Sequence, residues 1–278
     1  MTPAIRRAVG EAKRIVVKIG SSSITDAAGR IDMPQLNALT DAIAAARASG
    51  REVIVVSSGA MAAGLDPLGM HRRPRDLATR QAAASVGQGL LLARYTSLFA
   101  AHGLTVGQVL LTVEDISRQT SYANAQRTFL RLLELGAIPV VNENDTVATN
   151  ELRFGDNDRL AALVAHVVSA DVLFLLSDVE ALYTDHPSRP GACKITDVPE
   201  VEDLVVDTSR GGSAVGTGGM ATKLEAAKIA THAGVTTVLA SARSVGEALA
   251  GEPVGTLFRA SGRRRSRKML WLAYASQV

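Results

Sequence analysis

The sequence predicts an α/β fold in which helices cover both faces of a mainly parallel sheet, a three-layer αβα sandwich. Short β-branched runs alternate along the chain with Ala/Leu-rich stretches of helical period, the pattern of βαβ units. Gly50, Gly103, Gly136 and Gly234 each stand just past a helical stretch and just before an apolar run, where a left-handed residue closes a helix. With 278 residues, 47% hydrophobic and 21% charged, the chain can bury a sizeable core as one large domain or two modest ones.

Taken in order, the strands fall at 15–19 (IVVKI), 52–57 (EVIVVS), 105–111 (TVGQVLL), 137–142 (AIPVVN), 172–177 (VLFLLS), 235–240 (VTTVLA) and 255–259 (GTLFR). Helical stretches lie between them at 34–48, 76–101, 121–135, 157–169, 220–233 and 244–250. Two segments break the alternation. Residues 143–156 are too polar for a buried strand and too rich in β-branched residues for a helix, which suggests a β-hairpin excursion. Residues 179–219 carry Pro187, Pro190 and Pro199 among many glycines and read as a long loop over the sheet edge. The chain closes on an apolar, aromatic stretch with Trp271 and Tyr274 that resembles the first strand of a further domain.

Composition excludes several classes. Cys193 is the single cysteine and cannot form an internal disulfide, no apolar run approaches the roughly 20 residues of a membrane span, and no signal peptide opens the chain, so a reducing, cytoplasmic setting is expected. The formal charge of +3 is unevenly placed: residues 253–278 hold six basic residues and no acid, leaving 24 basic against 27 acidic residues in the rest. Basic character therefore belongs to the tail and not to the body. The five histidines show no metal-ligand spacing. There is no G-x-x-x-x-G-K-[ST] loop and no G-x-S-x-G elbow.

In open parallel sheets ligands bind beyond the carboxyl ends of the strands, and the polar clusters sit there. Lys18, Gly20 and Ser21 leave the first strand; Ser57, Ser58 and Gly59 the second; Asn142, Asn144 and Asp145 the fourth; Ser177 and Asp178 the fifth. Glycine after a strand lets backbone N–H groups approach an anion, so Gly20 and Gly59 suit phosphate oxygens. A lysine near the end of an apolar strand is costly to bury without an anionic partner, which singles out Lys18. Asp156, Asn157 and Asp158 open an apolar helix, where one cap explains one of them and leaves a second task for Asn157 or Asp158. Residues 216–223, GTGGMATK, mimic part of a dinucleotide fingerprint but follow a loop instead of a strand; they read as a flexible cover for a phosphate tail, feeding a helix that carries Lys223.

The segments VVKIGSSS, VVSSGAMAAG, VGQVLLT, NAQRTF, VVNENDTVAT, RFGDNDRLAALVA, LLSDVEALYT and GTGGMATKLEAA, in this order and spacing, resemble the bacterial glutamate 5-kinase family of the amino-acid kinase superfamily over roughly residues 13–260. The resemblance implies an eight-stranded sheet in the amino-acid kinase fold, ATP with Mg²⁺, L-glutamate as phosphoryl acceptor and entry into proline synthesis. Lys18 and Lys223 would stabilise the phosphoryl group and Asp158 would orient them. Ser58, Gly59, Asp145 and Asn157 would bind glutamate. Lys18, Gly20, Ser177, Asp178 and the run Thr217, Gly218, Gly219, Met220, Ala221, Thr222 and Lys223 would hold ATP. No protein ligand is assigned to a metal, Mg²⁺ being carried mainly by the nucleotide. Ser177 stands where threonine is common in the family, and both supply a hydroxyl. Residues 1–260 would form the kinase domain, and 261–278 a basic linker or the start of a PUA-like domain. Proline as feedback inhibitor, a dimer or tetramer and a glutamyl phosphate reductase partner follow from the same resemblance; neither membrane nor nucleic acid is expected. The rival readings are a kinase of the same fold acting on aspartate, N-acetylglutamate or UMP, a non-catalytic amino-acid sensor, and RNA binding through 259–268.

Overall fold

A computed structural model describes residues 2–26, 29–147, 157–185, 187–204, 206 and 219–261. Its strands are β1 (Arg14–Ile19), β2 (Glu52–Ser57), β3 (Val106–Leu111), β4 (Ile138–Glu143), β5 (Val172–Ser177), β6 (Leu182–Tyr183), β7 (Lys194–Ile195), β8 (Asp197–Val198), β9 (Thr236–Ser241) and β10 (Thr256–Phe258). Its helices are α1 (Thr2–Gly10), α2 (Met33–Ala48), α3 (Ala60–Leu65), α4 (Leu77–Ala100), α5 (Val113–Ser117), α6 (Gln119–Glu134), α7 (Asn157–Val167), α8 (Met220–His232) and α9 (Val245–Ala250). Eight strands form one sheet in the order β3-β4-β2-β1-β5-β9-β10-β8. All pairs are parallel except β9 with β10.

All seven expected strands are present, within a residue or two at each end. The eighth, β8, lies inside the stretch expected to be loop, which also forms the small antiparallel β6–β7 ribbon. Residues 205 and 207–218 of that stretch lie outside the described residues, as do 148–156 of the expected hairpin and Trp271 and Tyr274. Gly50, Gly103, Gly136 and Gly234 all have positive φ, between +69° and +89°, as helix-closing residues should. Three helices, α1, α3 and α5, have no counterpart in the sequence pattern. The first is tied down by Arg51, whose guanidinium donates to the carbonyls of Val9, Ala12 and Leu249 at 2.7–2.8 Å.

Strand side chains alternate between the two faces of a sheet, and this parity places the site. On one face Val16, Ile54, Leu173, Leu175 and Leu239 pack with α7, α8 and α6; on the other Ile15, Val17, Val53, Phe174 and Val238 pack with α1, α2, α4 and α9. Lys18 shares the parity of Val16 and therefore faces α7 and α8. Beside it, β2 runs into α3, which crosses α4 with no room for side chains. A Cβ on Gly64 would lie 1.9 Å from Ala83 O, and one on Gly87 would lie 1.8 Å from Ala60 O. This contact fixes the turn at Ser58 and Gly59 against α4.

Gly87→Ala should therefore cost about 3 kcal/mol, the upper end for overpacking, because the obstacle is backbone. Gly89→Ala, on the same helix with open space around it, should gain up to about 1 kcal/mol. Urea unfolding of the two variants checks this: equal effects would mean the helices are not held at this spacing.

Candidate active site

Three buried charges meet on one face of the sheet. Lys18 reaches from β1, Asp158 from the first turn of α7 and Lys223 from the first turn of α8. Lys18 Nζ lies 2.5 Å from Asp158 Oδ1 and Lys223 Nζ 3.2 Å from Asp158 Oδ2. Thr222 Oγ1 donates to the same Oδ2 at 2.9 Å. Asp158 is 1% exposed, and the lysines are 5% and 8% exposed. Burial alone would push the Asp158 carboxyl up, but the charges of Lys18 and Lys223 and the hydrogen bonds from Lys18 and Thr222 outweigh it and hold it at about 2. One carboxylate between two ammonium groups leaves an excess of positive charge in a water-poor cleft. Such a site favours a further anion.

The turn after β1 supplies space beside Lys18. The Gly20 N–H donates to Leu176 O at 3.2 Å, so Gly20 contributes the absence of a Cβ and not, as the sequence suggests, its own N–H. A Cβ there would stand 3.6 Å from both Lys18 Nζ and Ser23 Oγ. Ser23 Oγ is buried without a hydrogen-bond partner among the described residues, a hydroxyl at the edge of this space that closes the VVKIGSSS segment and to which the sequence assigns no role. At the end of β5, Ser177 is buried and donates to Asp178 Oδ1 at 3.0 Å. Gly219 precedes α8, and its carbonyl lies 2.9 Å from Thr222 Oγ1, competing with Asp158 for that hydroxyl's one hydrogen. Met220 and Ala221 open the helix; Asp156, Thr217 and Gly218 lie outside the described residues.

A second cluster lies across β2 and β4. Asn157 Nδ2 donates to Ser58 Oγ and to Asn142 Oδ1, both at 3.1 Å, and Asn142 Nδ2 donates to Gln88 Oε1 on α4 at 2.6 Å. Gly59 turns the chain there with φ +100°, and a Cβ would meet Ile24 Cδ1 at 2.8 Å, so the position is closed to larger residues. Asp145, half-buried just past β4, has its carboxyl pushed up to about 7 by burial and by the charge of Glu143, against partial relief from Arg80. Asn157 and Asp158 are consecutive, so the two clusters adjoin. Lys18, Lys223 and Asp158 are thus joined directly, as are Ser58 and Asn157, while Ser177 and Asp178 sit at the neighbouring strand end. The sequence marks Asn142 as one of the polar residues leaving the fourth strand, though without a role, whereas Gln88 carries no such signal.

Residues 13–241 match the model of the amino acid kinase family. The chain belongs to that family. It is 60% identical over 273 residues to a glutamate 5-kinase of Streptomyces coelicolor, covering 98% of this chain and 73% of that one. It is also 60% identical over 274 residues to a glutamate 5-kinase of Thermobifida fusca, covering 98% and 71%. A carbamate kinase from Giardia lamblia, solved with AMP-PNP bound, superposes with a TM-score of 0.66 at 16% identity over 91% of this chain and all of that one, a likeness of fold. Among the described residues no group of three or more His, Cys, Asp or Glu could hold a metal ion, and no helix is long and apolar enough to cross a membrane.

Asp158→Asn keeps the shape but removes the charge that both lysines share, and should cost about 3 kcal/mol or more at pH 7. Because the folded-state pKa is depressed from 3.8 to about 2, the stabilisation from Asp158 is complete above the unfolded value and lost as the pH falls toward 2. Urea titrations at pH 7 and pH 3 should show the gap between wild type and variant narrowing in acid. A gap independent of pH would show that the carboxylate charge is not what holds the lysines.

Proposed function

We propose that this protein is an ATP-dependent kinase that transfers the γ-phosphoryl group of ATP to the side-chain carboxylate of L-glutamate, giving glutamyl 5-phosphate at the entry to proline biosynthesis. The carrying observation is a cation pair, Lys18 and Lys223 on Asp158, next in the chain to Asn157, whose amide joins Ser58 and Asn142 at the ends of β2 and β4, with the acid Asp145 just past β4. An amino acid with an anionic end and an ammonium end matches both. Identity of 60% to glutamate 5-kinases supports glutamate as that amino acid.

A glutamate side chain with an ordinary pKa near 4.3 is ionised at neutral pH, so the attack needs no general base. One carboxylate oxygen forms a bond to the γ-phosphorus as the bond to the β–γ bridging oxygen breaks, and the electron pair leaves with ADP. The obstacle is bringing one anion onto another, and it is met by positioning and by fixed positive charge. In this reading Lys18 and Lys223 stabilise the transferring group, with Asp158 holding both ammonium groups in place. Ser58, Gly59, Asp145 and Asn157 hold glutamate, with Asp145 toward its ammonium. Gly20, Ser177, Asp178 and residues 217–223 hold the nucleotide, whose Mg²⁺ supplies charge neutralisation on the phosphate tail. Residues 1–260 act as the kinase domain, proline competes at the glutamate site, and a homo-oligomer, a cytoplasmic setting and hand-over of the acyl phosphate to a reductase complete the proposal.

An ATP- and Mg²⁺-dependent assay in which hydroxylamine traps the acyl phosphate tests the reaction. Signal with glutamate and not with aspartate or N-acetylglutamate is expected, and the reverse would overturn the acceptor. Lys18→Met and Lys223→Met should each lower kcat by roughly 10²-fold or more with little change in the KM for glutamate. Asp145 binds an ammonium only when ionised, and its pKa is about 7 in the free protein. Consequently kcat/KM for glutamate should fall about tenfold per pH unit below that value, and Asp145→Asn should flatten the profile while raising KM. A wild-type profile level from pH 8 to pH 6 would take Asp145 out of the ammonium site.

A further inference from the structure

The hydrogen bonds around Asn157 fix which way its amide points. An asparagine oxygen and nitrogen are ordinarily interchangeable in a structure, but a backbone N–H can only donate. The Glu143 N–H donates to the Asn142 side chain at 2.9 Å, so the atom facing it must be the oxygen. Asn142 Nδ2 is thereby turned toward α4, where Gln88 Oε1 accepts at 2.6 Å. Asn142 Oδ1 also faces Asn157 at 3.1 Å, so Asn157 must present its nitrogen there, and the same Nδ2 donates to Ser58 Oγ at 3.1 Å. Flipping either amide would set nitrogen against nitrogen or oxygen against oxygen.

One atom is left over. Asn157 Oδ1 is buried without a donor among the described residues, on a residue only 5% exposed, and a stranded buried acceptor costs about 1–3 kcal/mol. A site that tolerates this in the free state is prepared for a donor that arrives with the ligand. Ser58 Oγ accepts from Asn157 and so has its hydroxyl hydrogen free for a ligand acceptor. An acceptor and a donor side by side match the ammonium and carboxylate of an α-amino acid.

We infer that Gln88 and Asn142 are positioning residues that lock the Asn157 amide with its oxygen toward the substrate, so that the site receives a hydrogen bond from the substrate ammonium. The inference rests on the reading of this cluster as the amino-acid site. Gln88 touches no substrate in this scheme; it holds Asn142, which holds Asn157. Nothing in the spacing of motifs marks it, since it lies inside an alanine-rich helix more than 50 residues before Asn142.

The test is a double-mutant cycle in the full chain, read as KM for glutamate, KM for ATP and kcat. Gln88→Met removes the acceptor and should raise the glutamate KM roughly tenfold, with kcat and the ATP KM within about twofold of wild type. Gln88→Glu, which keeps an oxygen facing Asn142 Nδ2, should recover most of the loss. Asn142→Leu should raise the glutamate KM further, and adding Gln88→Met to it should change nothing more, because the two act through one chain. Multiplicative effects, an equal rise in both KM values, or an unchanged glutamate KM in Gln88→Met would each overturn the inference. Thermal stabilisation by glutamate, followed for each variant, gives the same ranking without turnover. A wild-type enzyme inactive on glutamate would instead bring down the functional reading, so the two failures are distinguishable.

Discussion

The bond set of Asp158 is the constraint on which the site is built. Lys18 must face α7 and α8 because it shares the parity of Val16, and a lysine so placed cannot be buried without a counter-charge. The first turn of α7 is where that counter-charge is most stable, since the helix N-terminus favours an anion. Lys223 arrives from the corresponding turn of α8, so one carboxylate joins the central strand to two helices. Its low pKa, about 2, means that Asp158 stays ionised at every physiological pH. Asp145, a short way along the same edge of the sheet, stands at about 7 because it has burial and Glu143 against it and only Arg80 in its favour. Two aspartates at the carboxyl-end side of the sheet are thus driven to opposite ends of the carboxylate range. The first is a fixed element of the electrostatic field, and the second responds to pH and to whatever cation is near it.

Much of this was legible in the sequence because it is written in residues that are out of place. A lysine in IVVKI, three polar residues opening an apolar helix and amides closing an apolar strand are each too costly to be accidental, and Lys18, Asp158, Asn157 and Asn142 were all visible for that reason. The long strands were visible because apolar runs of five or six residues, bounded by glycine and rich in β-branched side chains, suit a buried strand far better than a helix. What was hidden has short range or no anomaly. The edge strand β8 has two residues and borrows its conformation from β10, so no local pattern announces it. Helices α3 and α5 are too short for a period to show. The Gly64–Gly87 crossing pairs two glycines that look like ordinary small residues until the helices are brought together. Gln88 is a polar residue on a half-exposed helix, where solvent is the default partner. Its role depends on a contact that only the tertiary fold supplies.

In the proposed function, the positions of Asn157 and Asp158 would let one site treat the two ends of a substrate differently. Consecutive residues of an α-helix project about 100° apart, so adjacent side chains at the start of α7 cannot serve the same neighbour. Asn157 turns to β2 and β4, where it meets Ser58 and Asn142; Asp158 turns to β1 and α8, where it meets the lysines. The separation between the amide cluster and the cation pair is therefore set by a single backbone step in a helix whose other residues are almost all buried. A rigid spacing of this kind acts as a ruler. An amino acid whose ammonium lies at one cluster brings its side-chain carboxylate to the other only if its chain has the matching length, and a shorter acid can satisfy one end at the expense of the second. Selection by length then needs no contact with the methylene groups themselves. It follows from the same helix turn that makes the anion site possible.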